Sequence, residues 1–331
     1  MLESAIAMTP GAITILGMGF WRNGWIVCVL LVVLGLGAAS ATAVVRSDAW
    51  IADLVESFRP HLLVAALAAL PLALTLRGGW RSAALAAFAA CIIVNGATIV
   101  RTVRAATPAQ EARGGVRLKL VTVNLLWSNR QHHRLRDWLR AEAPDIVVTQ
   151  ETTPRWAAQL AGLDGIFPHR RLPGPTDDIA ILSRHPFTMA QDAGIRVHGT
   201  LAMATLTLER RRIDLMALHA SVPTSPGRRI ARDAMFDDIA RFARRTRAPL
   251  IVAGDFNATP WNRSMRLLVR ESPLRHASGF WRPTWTAYVP LWMGIPIDHV
   301  LAATDCRVLD RRIGPDIGSD HRPLVVTIDC L

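Results

Sequence analysis

Two kinds of hydrophobic patterning divide this chain. In its first third, residues 25–45, 61–75 and 82–100 are nearly free of charge, and no polar position interrupts residues 26–39. A helix of about 20 apolar residues, with a range down to ~17, crosses a bilayer. The first and third stretches meet that length. The second is shorter and contains Pro71, which neighbouring helices can cover. The pattern predicts an anchor over 1–101 with about three membrane helices at 25–45, 60–77 and 82–100. Residues 39–43 are small, like a signal-peptide cleavage site, but the long segment before them and the two apolar stretches after them favour an uncleaved anchor.

Beyond a linker at 102–116, rich in Ala, Pro, Gly and charge, the pattern changes. Short apolar, β-branched runs bounded by Gly, Pro and Asp predict strands at 118–126, 146–149, 179–182, 202–208, 213–218, 250–253, 299–302, 307–309 and 324–328. Helices are expected at 133–142 and 228–245, the second with Ile230, Ala234, Met235, Ile239 and Phe242 on one face. So many strands with so few helices between them argue against a doubly wound parallel sheet. Two packed mixed sheets with helices outside fit better, so residues 117–331 are read as one α/β domain.

Charge and cysteine content narrow the chemistry. Residues 105–331 carry 31 basic side chains against 22 acidic ones, a balance suited to an anionic substrate, nucleic acid or an anionic lipid surface. Cys28 and Cys91 fall in the apolar stretches. Cys306 opens one late strand and Cys330 closes the last, where either a disulfide or two thiols would fit. A disulfide would require an oxidising compartment. No cysteine cluster suggests a zinc site. Instead acids, amides and imidazoles gather at strand ends: Asn124, Gln150-Glu151, His219, Gly254-Asp255-Phe256-Asn257, Asp298-His299 and Ser319-Asp320-His321. Such oxygen and imidazole donors favour a hard divalent cation, Mg²⁺ or Mn²⁺.

These motifs, in this order from about residue 117 to 331, resemble the endonuclease/exonuclease/phosphatase superfamily of DNase I-like metal-dependent phosphoesterases. The resemblance implies a four-layer α/β sandwich with the site at one end between the sheets. It implies Glu151 as the first metal ligand, with Asn124 beside it at the metal or orienting that carboxylate or a phosphate oxygen, and Asp320 as a further metal donor. Asp255 would orient or deprotonate the attacking water, and Asn257 would hold the water or a phosphoryl oxygen. On an extended chain Asp255 and Asn257 point to the same side and Phe256 to the other. His321 would meet phosphate, polarised by Asp320 or by Asp298. His219 would be a second phosphate-contacting imidazole, and His299, by alternation, faces away.

The expected activity is Mg²⁺-dependent hydrolysis of phosphate mono- or diesters at the membrane, with a lipid-linked phosphate or diphosphate as substrate, since a short linker confines the domain near the bilayer. A membrane-tethered nuclease and a non-catalytic membrane sensor or scaffold are the alternatives. The loop holding Trp281, Trp285, Tyr288 and Trp292 either touches an apolar substrate or interface or covers the sheet end. The expected location is the inner (plasma) membrane, multi-pass, with the catalytic domain outside the cytoplasm, although arginine counts around the helices slightly oppose export.

Overall fold

The computed structural model describes residues 10–45, 48–104, 109–190, 199–208, 211–279 and 282–331, with side chains from residue 23 onward. Trp281 lies outside the described residues. Contacts separate two compact units: Met1–Ser47 with Phe58–Ile99, and Asp48–Ser57 with Val100–Leu331. The second unit therefore takes in a short segment that the sequence pattern assigns to the anchor.

The helices of the first third are α1 (Pro10–Ala41), α2 (Trp50–Glu56), α3 (Arg59–Leu74) and α4 (Gly79–Arg104); α2 belongs to the second unit. Asn23–Ala41 and Gly79–Arg104 are long and apolar enough to cross a membrane, and α2 with α3, bent by 69°, is a third candidate if taken as one span. In the first unit Val29, Ala73, Leu76, Ala84 and Phe88 pack together. Arg59 is fully buried there, with the Ser40 carbonyl, the Asn95 amide oxygen and the Thr42 hydroxyl accepting from its guanidinium. A buried charge requires such acceptors in place of water.

The second unit contains β1 (Val116–Asn124), α5 (His132–Glu142), β2 (Ile146–Gln150), α6 (Pro154–Ala161), β3 (His169–Arg171), β4 (Ala180–Ser183), β5 (Phe187–Met189), β6 (Gly199–Leu208) and β7 (Arg211–Ala220). It continues with α7 (Pro226–Arg245), β8 (Leu250–Asp255), α8 (Arg263–Arg270), β9 (Leu274–His276), β10 (Asp298–Ala303), β11 (Cys306–Ile313) and β12 (Leu324–Cys330). Two six-stranded mixed sheets form, ordered β11-β12-β1-β2-β4-β3 and β5-β6-β7-β8-β10-β9. Their inner faces meet through Leu118, Leu120, Ile146, Val148, Leu215, Ala217, Ile251, Ala253, Val300 and Val326. The outer face of the first sheet packs on α5 and α6 through Val121, Val123, Leu135, Leu139, Trp156 and Leu160. The outer face of the second packs on α7 and α8 through Leu218, Val252, Met235, Phe236, Ile239 and Met265. This is the expected four-layer sandwich.

Several local expectations change. On α7 the packed face is rotated: Ile230 is exposed and Arg232 is buried. The strand expected at 307–309 runs from Cys306 to Ile313 because pairing with β12 continues through Asp310, Arg311 and Arg312 past a bulge. These residues lack an apolar signal, but backbone pairing at a sheet edge does not need one. The far end of the linker is strapped down by backbone bonds, Gln110 N–H to the Val308 carbonyl (2.8 Å) and Arg113 N–H to Asp329 (2.6 Å). Cys306 and Cys330 are paired in register and joined by a disulfide.

Candidate active site

Strand periodicity builds the site. Successive strand side chains alternate between faces, so the inward row Leu118, Leu120, Thr122 on β1 delivers Asn124 between the sheets. The inward rows of β7 and β8 deliver His219 and Asp255 in the same way. β7 and β8 are parallel with His219 opposite Asp255, and antiparallel β10 sets Asp298 opposite Asp255. Gly254 permits this arrangement. It has φ +150°, and a Cβ there would lie 1.9 Å from the Leu218 carbonyl oxygen.

Asn124 is the hub on the first sheet. Its Nδ2 donates to Glu151 Oε1 at 2.9 Å and to Asp255 Oδ2 at 3.2 Å. The Trp127 backbone N–H donates to the other Glu151 oxygen at 2.8 Å. Glu151 and Asn257 have φ of +54° and +46°, a left-handed conformation that costs about 1–3 kcal/mol and persists only where surrounding contacts fix it. The left-handed turn means the chain is not extended through Asn257, unlike the sequence expectation. Asn257 N–H donates to Asp255 Oδ1 and its Nδ2 to the Ala220 carbonyl, both at 2.9 Å. Phe256 turns into the core beneath α7.

Two histidine–carboxylate pairs flank Asp255. His321 Nδ1 lies 2.8 Å from Asp298 Oδ2, and His219 Nδ1 lies 2.6 Å from Asp178 Oδ2. The opposite nitrogens point to Asp255 Oδ2, at 3.9 Å from His321 and 3.7 Å from His219. Burial opposes the His321 charge, but the Asp298 carboxylate and its hydrogen bond, then Asp255 and Asp320, push its pKa up to about 10. Burial likewise opposes His219, but the hydrogen bond to Asp178, then Asp255, raise it to about 9. Burial raises Asp255 to about 6, with Asp298 adding repulsion and the two imidazoles pulling it back. The paired rings are thus cationic at neutral pH, beside a carboxylate able to accept a proton near it.

The donors also fit a divalent cation. Asp255, Asp298 and His321 each offer a ligand atom within 4.8 Å of the others. Within this trio His321 Nδ1 is already bonded to Asp298 Oδ2. Glu151, beside Asn124, could also hold the cation: its carboxylate accepts from the Asn124 amide and the Trp127 N–H. Nearby oxygens Gln150 Oε1, Asp178 Oδ1 and Asp298 Oδ1 are buried without a hydrogen-bond partner among the described residues. An acceptor-rich, oxygen-lined site of this kind suits a hard cation.

The structure brings together Asn124, Glu151, His219, Asp255, Asn257, Asp298 and His321. Of the two possible partners for His321 it selects Asp298. Asp320 instead accepts from the Trp285 indole at 3.1 Å. His299 faces away, its Nε2 2.8 Å from the Ala258 carbonyl and its ring against Phe256 and His276. Sequence reasoning missed Asp178. Its signal was an acid directly before the short strand at 179–182, a placement shared with many solvated turn residues. In the aromatic loop, Trp285 braces the site, whereas Tyr288 and Trp292 are largely exposed.

Paired imidazoles, buried carboxylates and an oxygen cluster at one end of a two-sheet sandwich define a phosphoester-hydrolysing centre. The chain belongs to the Endonuclease/Exonuclease/phosphatase family, which it matches over residues 121–321. Members of this family hydrolyse phosphoester bonds and generally use divalent metals. No curated protein matches the chain. Solved structures share the fold. The endonuclease/exonuclease/phosphatase from Beutenbergia cavernae is 21% identical, with 65% of this chain and 72% of that chain covered and a TM-score of 0.50. TDP2 from D. rerio, complexed with single strand DNA product, is 15% identical, with coverage of 64% and 99% and a TM-score of 0.52. The human Nocturnin catalytic domain with bound sulfate anion is 18% identical, with coverage of 66% and 96% and a TM-score of 0.51.

Proposed function

We propose that the protein is a membrane-anchored, Mg²⁺-dependent phosphoesterase whose substrate is a lipid-linked phosphate or diphosphate. The observation that carries the substrate class is the presence, in one chain with the phosphoesterase site, of helices long and apolar enough to cross a membrane. Such an anchor keeps the domain close to the bilayer and gives little advantage on a soluble polymer. Glu151 would hold the cation, with Asn124 orienting its carboxylate and Asp320 as a further oxygen donor. Mg²⁺, when bound, would offset negative charge on the phosphoryl oxygens. Mn²⁺ could serve the same oxygen donors.

The protein's own groups do the rest. Asp255 accepts the proton of the attacking water, its pKa of about 6 leaving it ionised yet basic enough at neutral pH. Asn257, its amide plane fixed by the Ala220 carbonyl, orients that water. His321 presents Nε2 to the phosphoryl oxygens as negative charge builds there, while Asp298 fixes its tautomer and charge. His219, held by Asp178, does the same from the second side.

A nuclease is the competing reading, favoured by the basic surplus of residues 105–331. Full-length protein in detergent would be assayed with Mg²⁺ against lipid diphosphates, sphingomyelin-like diesters and plasmid DNA. Preferential turnover of lipid phosphoesters, with little salt dependence, is the expected result. Turnover of DNA alone, falling steeply with salt as polyanion binding does, would replace this reading with the nuclease.

A further inference from the structure

Arg232, in α7, is fully buried, and it links the second unit's short segment from between α1 and α3 to the catalytic motif. Its terminal nitrogens grip Asp53 of α2 in a fork, Nη1 to Oδ2 at 2.8 Å and Nη2 to Oδ1 at 2.9 Å. The same Nη1 donates to the backbone carbonyl of Asn257 at 3.1 Å. Asp233 and the Ser264 hydroxyl take the remaining bonds. A planar guanidinium satisfied on every side has one orientation available, so the Asp53 fork fixes the donor that holds Asn257.

The rest of the segment is seated on the same loop. Asn262 Nδ2 donates to the Asp53 carbonyl at 2.8 Å, and the Arg263 N–H donates to Glu56 at 2.8 Å. The Trp261 indole, buried to 1% exposure, donates to the Ser57 carbonyl at 2.9 Å. Residues 257–263, which follow Asp255 directly, are therefore clamped by residues some 200 positions earlier in the chain. Asn257 needs such a clamp: its φ is +46°, and its N–H holds Asp255 Oδ1.

We propose that Asp53 is a positioning residue for the active site. It acts through Arg232 on the Asn257 carbonyl, and through the Asn257 N–H on Asp255. The inter-helix segment is on this account a working part of the hydrolase and more than a tether. The inference rests on the roles proposed above for Asp255 and Asn257.

The test uses full-length protein in detergent with three variants: Asp53→Asn, which loses the charge; Asp53→Glu, which keeps it; and Asp137→Asn, an exposed control in α5 paired only with Arg140 among the described ion pairs. Turnover of bis(4-nitrophenyl) phosphate with Mg²⁺ and amide hydrogen exchange of residues 253–263 are both read. Asp53→Asn is expected to lower kcat on the order of tenfold or more with KM little changed, because a displacement of about 1 Å remote from the reacting atoms can cost up to 10²-fold. Exchange should rise within 256–262 and stay at wild-type levels in β1 and β12. Asp53→Glu should recover part of both effects, and Asp137→Asn should change neither. Unchanged exchange at 256–262 in Asp53→Asn would overturn the proposal, as would a rise spread evenly over the whole unit. A wild type that hydrolyses no phosphoester would count against the catalytic reading, while the exchange comparison would still decide whether Asp53 holds the loop.

Discussion

Asp255 is buried among groups that pull its protonation in opposite directions. Asp298 faces it as a like charge, whereas His219 and His321 point their ring nitrogens at it. With Asp255 and His321 acting on one transition state, as proposed, each alanine substitution should cost on the order of 10²-fold or more in kcat. The double variant should lose less than the product of the two; fully multiplicative losses would show that they do not work as a unit. A second residue-scale prediction concerns stability. Burial pushes His276 down to about 3 and His299 to about 4, against roughly 6.5 in an unfolded chain. Stability from keeping these rings neutral is fully present above ~6.5 and is lost as pH falls toward the folded values. Thermal midpoints should drop in acid, and His276→Phe should flatten that drop; an unaltered pH slope would remove His276 as a cause. Most of the site residues were legible because they end apolar runs, where alternation fixes their direction. Asp178 and Arg232 were not, since their meaning depends on partners tens to hundreds of residues away.

At the scale of elements, the sandwich was readable from strands buried on both faces, whose runs of Val, Ile, Leu and Ala are nearly continuous. The short edge strands β3, β5 and β9 escaped notice because three residues carry no periodicity. Helix α2 was hidden for a different reason. Its sequence, Trp50–Glu56, lies among apolar stretches and looks like part of an anchor, yet Asp53 and Glu56 are bound into the catalytic unit. Strands β7 and β8 pair in parallel and approach closely at Gly254. Because a Cβ at Gly254 would meet the Leu218 carbonyl at 1.9 Å, Gly254→Ala must push the two strands apart or twist Asp255 away from His219. We expect it to abolish hydrolysis and to lower the thermal midpoint, the φ of +150° adding strain. Wild-type activity in this variant would show that the strand pairing has slack.

At the scale of the whole molecule, connectivity bears on topology. Two helices are long and apolar enough to cross a membrane, or three spans form if α2 and α3 are taken as one. We propose three crossings, with the N-terminus opposite the catalytic domain. The Cys306–Cys330 disulfide fits an oxidising compartment, and we propose the extracytoplasmic side of the inner membrane. Alkaline phosphatase fused after Leu331 should be active there, and a reporter that fluoresces only in the cytoplasm should stay dark; the reverse pattern would invert the topology. The proposed role of Glu151 in holding the cation can be read from one titration. Hydrolysis of a lipid diphosphate in mixed micelles would be followed against Mg²⁺ concentration for the wild type and for Glu151→Gln, which keeps shape but loses charge. Wild-type activity should be abolished by EDTA and restored by Mg²⁺, with almost none in the folded variant at ordinary Mg²⁺. Undiminished turnover in EDTA, or a variant as active as the wild type, would contradict it.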